Sequence, residues 1–306
     1  MAALKRTPFG VRGYDGKEGG HERRPQHAED HPIRDTTAAS PSSHHLFRWS
    51  LLALTALGLA LLTLPTVALV WRALHAGAAL SRPQTRDALR EALQLSLTTS
   101  LLALVVIVAL GTPIAFVLAR GRSRWLKVAD AVVDLPIILP PAVAGIALLT
   151  AFGRNGVLGG TLAGLGVSVS FSTTAVVIAQ IFVSAPFYIR TARAGFLRVE
   201  HRLEEAAADL GAPPHRVFFR VTLPLARTSL IAGAVLAWAR ALGEFGATIM
   251  FAGNRKGVTQ TMPLAIYERF GAGDLPAALV LSTLLLGTSV VFLLAIRLLG
   301  ESSTGR

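Results

Sequence analysis

The sequence predicts an all-α fold: a polytopic membrane bundle of six transmembrane helices with both ends of the chain in the cytoplasm. Three observations carry that expectation. Of 306 residues, 52% are hydrophobic and only 16% are charged, where a soluble domain averages about 25% charged; the mean hydropathy is +0.53. The apolar residues stand in long blocks rather than in a strand-like alternation or a one-sided helical repeat, the pattern of membrane spans. Lys and Arg crowd into alternate loops. Chain-wide disorder is excluded, because its mark is low hydrophobicity. The lack of cysteine excludes disulfides, thiolate metal sites and cysteine nucleophiles.

Residues 1–48 read as a disordered cytoplasmic tail. Gly, Pro, Ser, His and mixed charge dominate, with eight Lys and Arg against six acids, so little apolar surface is available to offset ordering entropy. The segment lacks the proportions of a secretory signal. Its histidines (His21, His27, His31, His44 and His45) are irregularly spaced, which suits a solvated tail better than a metal tract. Residues 49–299 are expected to form the transmembrane domain, with 93–299 as its core and 300–306 as a short C-terminal tail. Six apolar blocks make up that domain. The first is 49–70, where Pro65 is a tolerated kink, and the second is 93–119. The third, 135–152, is entered through Asp134 and the proline-rich run DLPIILPPAVAG. The fourth is 173–189, the fifth 230–251, apolar except for Arg240 and Glu244, and the sixth 275–296. With the N-terminus inside, the cytoplasmic segments hold twenty-one Lys and Arg and the external ones eight, the bias that orients membrane proteins. The net charge of +12 is thereby a matter of topology and head-group contact, not a nucleic-acid patch. Arg72, Arg82, Arg86 and Arg90 run against the rule and are partly offset by Asp87 and Glu91.

The longest cytoplasmic loop, between the fourth and fifth blocks, has an internal order. Leu203, Ala206, Ala207 and Leu210 recur at helical spacing and make one apolar face, with Glu204, Glu205 and Asp209 toward the polar side. Gly211 supplies the left-handed residue that closes such a helix. Pro213 and Pro214 stop it and open a second helix over 215–223, which Pro224 ends. The product is either an interfacial amphipathic connector or a docking knob for a soluble partner.

Glu205-Ala206-Ala207, three residues, Gly211, nine residues and then Val221-Thr222-Leu223-Pro224 resembles the EAA motif of importer-type ABC transporter permeases. That motif runs EAA, three residues, G, nine residues, I-x-L-P; Val221 replaces the isoleucine. The resemblance implies that the helix ending at Gly211 is a coupling helix, seated in a groove of a separate ATP-binding subunit. Its contact set is Leu203, Glu204, Glu205, Ala206, Ala207, Asp209, Leu210, Gly211, Leu223 and Pro224. The sequence holds no G-x-x-x-x-G-K-[ST] phosphate loop. ATP and Mg are therefore expected on that partner, with no cofactor in this chain.

In the fifth block, RALGEFGAT places Arg240 and Glu244 four residues apart, within pairing distance on a helix. Ionisable residues inside a span are costly and usually face the bundle interior. A structural salt bridge and a gate or lining of a solute path both fit. Gly243 and Gly246 permit close packing or a local bend, and Thr248 and Ser184 are candidate polar linings. Taken together, DLPIILPPAVAG, LGEFGAT, FAGN (251–254) and TQTMPLAIY (259–267) resemble the molybdate permease subunit over about 93–299. That resemblance implies an inner-membrane homodimer of permeases, two ATP-binding subunits and a periplasmic or surface oxyanion-binding protein. Tungstate and sulfate permeases are the alternatives. A secondary carrier is a third; such carriers often show inverted repeats and intramembrane coupling acids, whereas Glu244 is the only mid-span acid here. No G-x-S-x-G or H-E-x-x-H motif is present, so the chain itself is not expected to be an enzyme.

Overall fold

A computed structural model of the chain describes residues 41–166 and 168–302, with side chains described from 47 to 295. Among these residues all regular structure is helical. The chain divides into two units, 1–58 and 59–306. The described part of the first is the opening stretch of α1 (Pro41–His75), whose side chains from 47 to 58 are all exposed. This helix begins inside the segment expected to be tail. The rest of that tail, with His21, His27 and His31, lies outside the described residues, as does 303–306.

The second unit completes α1 and continues through a 3-10 turn, Gly77–Ser81, into α2 (Pro83–Arg120) and α3 (Arg124–Ile138). Next come α4 (Pro141–Phe152), α5 (Gly159–Gly164), α6 (Thr173–Arg198), α7 (His201–Asp209) and α8 (Pro214–Val217). A π-helical stretch, Phe218–Thr222, leads into α9 (Leu223–Leu242), and α10 (Gly246–Phe251), α11 (Met262–Gly271) and α12 (Leu275–Ser302) complete the order. Among the described residues five runs are long and apolar enough to cross a membrane: Phe47–His75, Pro83–Arg120, Thr173–Arg198, Pro214–Leu242 and Leu275–Ala295; the bent pair α3–α4 makes a sixth if it is one span.

Three sequence expectations change. The block 135–152 is not one straight span. The helix stops at Ile138, Leu139 and Pro140 are extended, and α4 restarts at Pro141 with a bend of 117°. Proline disfavours helix in the residue before it, while Pro141 sits in the first turn, where its missing N–H costs nothing. The block 230–251 is also broken. Gly243 caps α9, Phe245 leaves the helical region, and the Glu244 carboxylate accepts the Ala247 N–H at 2.8 Å to start α10. Finally, Pro224 does not end a helix. It lies in the first turn of α9, and the π-helical stretch before it shifts the bonding pattern, so that Leu223 N–H bonds to Phe218 C=O. Such single-turn π segments accommodate an interruption without breaking the run.

The core is organised around α6. Its second half, through Tyr188, Ala192 and Phe196, packs on Ile107, Ala115 and Leu118 of α2 and on Ala226 and Ala237 of α9. Its first half, through Ala175, Val176, Ala179 and Val183, packs on Ala144 and Leu148 of α4 and on Ala247 and Phe251 of α10. Because lipid is as apolar as these side chains, close packing of small residues must hold such helices together. The α4–α10 seam shows it. A Cβ on Gly145 would stand 2.7 Å from Ala247 C=O, and one on Gly246 would stand 2.5 Å from Pro141 Cβ. Gly145→Ala should therefore separate the two short helices and lower stability by about 1–3 kcal/mol, the usual cost of overpacking; thermal unfolding of the purified protein in detergent measures it.

Candidate functional site

The loop helix α7 forms as its sequence requires. Gly211 adopts φ +83°, and the two bonds Ala212 N–H to Ala207 C=O (3.1 Å) and Gly211 N–H to Ala208 C=O (2.8 Å) make a Schellman closure. Pro213 is extended and Pro214 opens α8. No residue of α7 is fully buried. Leu203 and Leu210 are 46% and 90% exposed, and Ala206 lies open between them. The apolar face is thus a ridge that the described residues leave uncovered.

The two neighbouring glutamates differ. Glu205 is exposed, with His201 Nε2 at 3.6 Å. Glu204, expected near the polar side, turns inward instead. Its Oε1 accepts from Arg120 Nη2 at 2.8 Å and from Thr222 Oγ1 at 2.7 Å, and its Oε2 lies 3.0 Å from His201 Nδ1. Arg120 also donates to Val199 C=O at 3.1 Å. One carboxylate therefore ties α7 to the end of α2 and to the π-helical entry of α9, and through Arg120 the tie reaches the α6–α7 corner at Val199. Arg120 and Thr222 as its partners were not legible in the sequence, because they lie 84 and 18 residues away.

Burial alone would raise the Glu204 pKa, but the hydrogen bonds from Thr222, His201 and Arg120, together with the Arg120 charge, hold it below the ordinary carboxylate value. A depressed folded-state pKa gives stability that is present above the unfolded glutamate pKa of about 4.3 and is lost as pH falls through the folded value. The stability difference between the native protein and Glu204→Gln should then stay constant above about pH 5 and shrink below about pH 4. Thermal melts over that range check it.

Two ion pairs brace the same end of the bundle. Arg193 Nη1 reaches both oxygens of Asp130 at 3.0 Å, and Arg190 pairs with Asp134. The four-residue spacing of the acids on α3 and the three-residue spacing of the arginines on α6 were the available signal.

In the middle of the bundle, Arg240 and Glu244 pair as expected, Nη1 to Oε2 at 2.7 Å, although Glu244 stands beyond the end of α9. The Glu244 side chain is fully buried, and that of Arg240 is 29% exposed. Gly246 is packed on Pro141, whereas Gly243 has only Ala239 C=O near the position of a Cβ. Thr248 and Ser184 are fully buried, and among the described residues neither hydroxyl has a hydrogen-bond partner; nor do Gln180 Oε1 and Glu244 Oε2, the latter meeting Arg240 only as an ion pair. At the other end from α7, Glu268 gathers Asn254, Gln260 and Lys256, and Met262 N–H donates to Ser96 Oγ at 2.7 Å. These bonds pin the FAGN and TQTMP segments, for which spacing alone gave no role.

Comparison with known proteins places this arrangement. Residues 107–302 match the model of the family described as the binding-protein-dependent transport system inner membrane component. The molybdenum transport system permease protein ModB of Mycobacterium tuberculosis is 46% identical over 212 residues, 69% of this chain and 80% of that one. The sulfate transport system permease protein CysT of Synechocystis is 37% identical over 203 residues, 66% of this chain and 71% of that one. A crystal structure of a bacterial alginate ABC transporter, in complex with an alginate pentasaccharide-bound periplasmic protein, has the same fold, with a TM-score of 0.65 at 19% identity over 87% of this chain and 96% of that one. The chain belongs to the binding-protein-dependent transport inner-membrane family, and it is a multi-pass protein of the inner membrane.

Proposed function

We propose that this chain is the permease subunit of an ATP-driven oxyanion importer, with molybdate as its substrate. The observation that carries the reading is α7: a capped ridge, uncovered on its apolar side and welded by Glu204 to two long helices. That is the build of a lever worked from outside the chain. The 46% identity to a molybdenum permease, against 37% to a sulfate permease, favours molybdate; tungstate, close to it in size and charge, is the main competitor.

On this reading both termini and α7 are cytoplasmic. Two copies of the chain pair across the solute path and engage two ATP-binding subunits and a periplasmic or surface oxyanion-binding protein. ATP and Mg are held by the partner, and this chain performs no hydrolysis. Closure of the ATP-binding subunits carries α7 with them and rocks α2 and α9 so that the path opens outward. Arg240, Gly243, Glu244, Gly246 and Thr248 border that path.

Uptake of radiolabelled molybdate in a strain lacking the chain, with and without its restoration, tests this. Restoration should return uptake, with tungstate competing strongly and sulfate weakly. Solute movement by the purified chain alone, with no nucleotide-hydrolysing partner, would mean a secondary carrier and sink the proposal.

A further inference from the structure

The breaks in α3–α4 and α9–α10 meet beside a cavity of about 110 Å³. Its walls are Pro136, Leu139 and Pro141 at the first break, Val183 and Phe187 of α6, and Arg240, its one charged lining residue. At about 30 Å³ per water, the cavity has room for about four oxygens. We propose that it is a subsite for a tetrahedral oxyanion, in which the Arg240 guanidinium binds the anion and Glu244 holds that guanidinium in place. The inference rests on the oxyanion-importer reading and names a contact within that path.

The asymmetry of the pair decides between a lock and a site. The Glu244 side chain is fully buried; Oε1 accepts the Ala247 N–H, and Oε2 lies 2.7 Å from Arg240 Nη1 as an ion pair without an aligned hydrogen bond among the described residues. The carboxylate is absent from the cavity lining, whereas Arg240 lines it and its side chain is 29% exposed. A guanidinium has five N–H donors in a planar fork, and Glu244 engages it at Nη1. Arg240 is the charged residue of a lining that is otherwise apolar in side chain. A charge kept in such surroundings is expensive, and an anion bound there would meet little competition from bulk water. The first turn of α4 starts at the same cavity and the last turn of α3 ends there, so the two helix ends oppose each other and the Arg240 charge carries the attraction.

Glu244 also sets the strength of binding. It competes with the anion for one guanidinium, so the subsite holds its ligand weakly, as a transport path requires: favourable enough to enter, weak enough to leave.

The test uses the complex purified from the membrane, titrated with sodium molybdate against a sodium chloride control, followed by thermal shift and by labelled molybdate uptake after reconstitution with the binding protein. Arg240→Gln alone strands a buried carboxylate, so the informative variants are Arg240→Lys and the neutral pair Arg240→Gln with Glu244→Gln. The native complex should melt higher in molybdate, by the usual linkage of binding to stability. Arg240→Lys should keep a reduced shift and lose uptake severalfold, because a single ammonium cannot replace the fork. The neutral pair should assemble, lose the molybdate shift and lose uptake at least about tenfold. Native-like uptake and shift in the neutral pair would overturn the subsite while leaving the importer reading intact. A native complex that takes up none of molybdate, tungstate or sulfate would overturn the importer reading, and the subsite with it.

Discussion

Glu204→Ala should nearly abolish ATP-driven uptake and at the same time lower the melting temperature of the protein. The substitution removes the partner of three hydrogen-bonding side chains, one of them an arginine only 22% exposed. Losing hydrogen bonds to a charged group costs about 1.5–3 kcal/mol, and more where a partner stays buried and unsatisfied. α7 then hangs from the chain by its two ends, and a push on its ridge reaches neither Arg120 at the end of α2 nor Thr222 before α9. Glu204→Gln, which keeps the shape and an acceptor oxygen, should retain part of the uptake. Equal uptake in native protein and Glu204→Ala, measured in the same vesicles, would show that force does not travel through this carboxylate.

Glu205→Arg should behave differently. Its side chain is 61% exposed and meets only His201 at 3.6 Å, so the melting temperature should be unchanged. The ridge of Leu203, Ala206 and Leu210 runs beside it, and a reversed charge on the rim of a docking surface opposes association. Like-charge juxtaposition across an interface costs several kcal/mol, and about 1.4 kcal/mol is already tenfold in binding. Uptake should fall by at least about tenfold while membrane insertion stays normal. Normal import by vesicles carrying this change would remove the docking role from Glu205. The two adjacent glutamates thus separate a fault inside the permease from a fault at its contact with a partner, through whether stability falls along with transport.

The sequence was informative wherever a feature depends on neighbours along the chain. The apolar blocks mark where the long helices run, the Gly211 closure forms as its position demands, and the four-residue spacing of Arg240 and Glu244 does produce a pair. It was silent where partners are remote. Nothing near Glu204 indicates that it turns toward Arg120, so a residue that reads as part of a polar face is an internal tie. Continuous hydropathy also hid the two breaks, because Leu139 and Phe245 are as apolar as any residue of a straight span. The prolines at 140 and 141 announced the first break and the glycines at 243 and 246 the second, yet only packing of α4 against α10 shows that both occur at one place. Pro224 misled in the opposite direction, since the π-helical turn ahead of it absorbs the interruption that a proline usually causes.

The glycine seam between α4 and α10 has a mechanical corollary. Each of these short rods begins just after a stretch of unwound chain, and their backbones interlock too closely for either to slide alone. They form a single wedge hung on two non-helical joints. Any rearrangement of the bundle must swing that wedge as one piece, and the Arg240 fork, fastened just ahead of the second joint, stands beside its pivot.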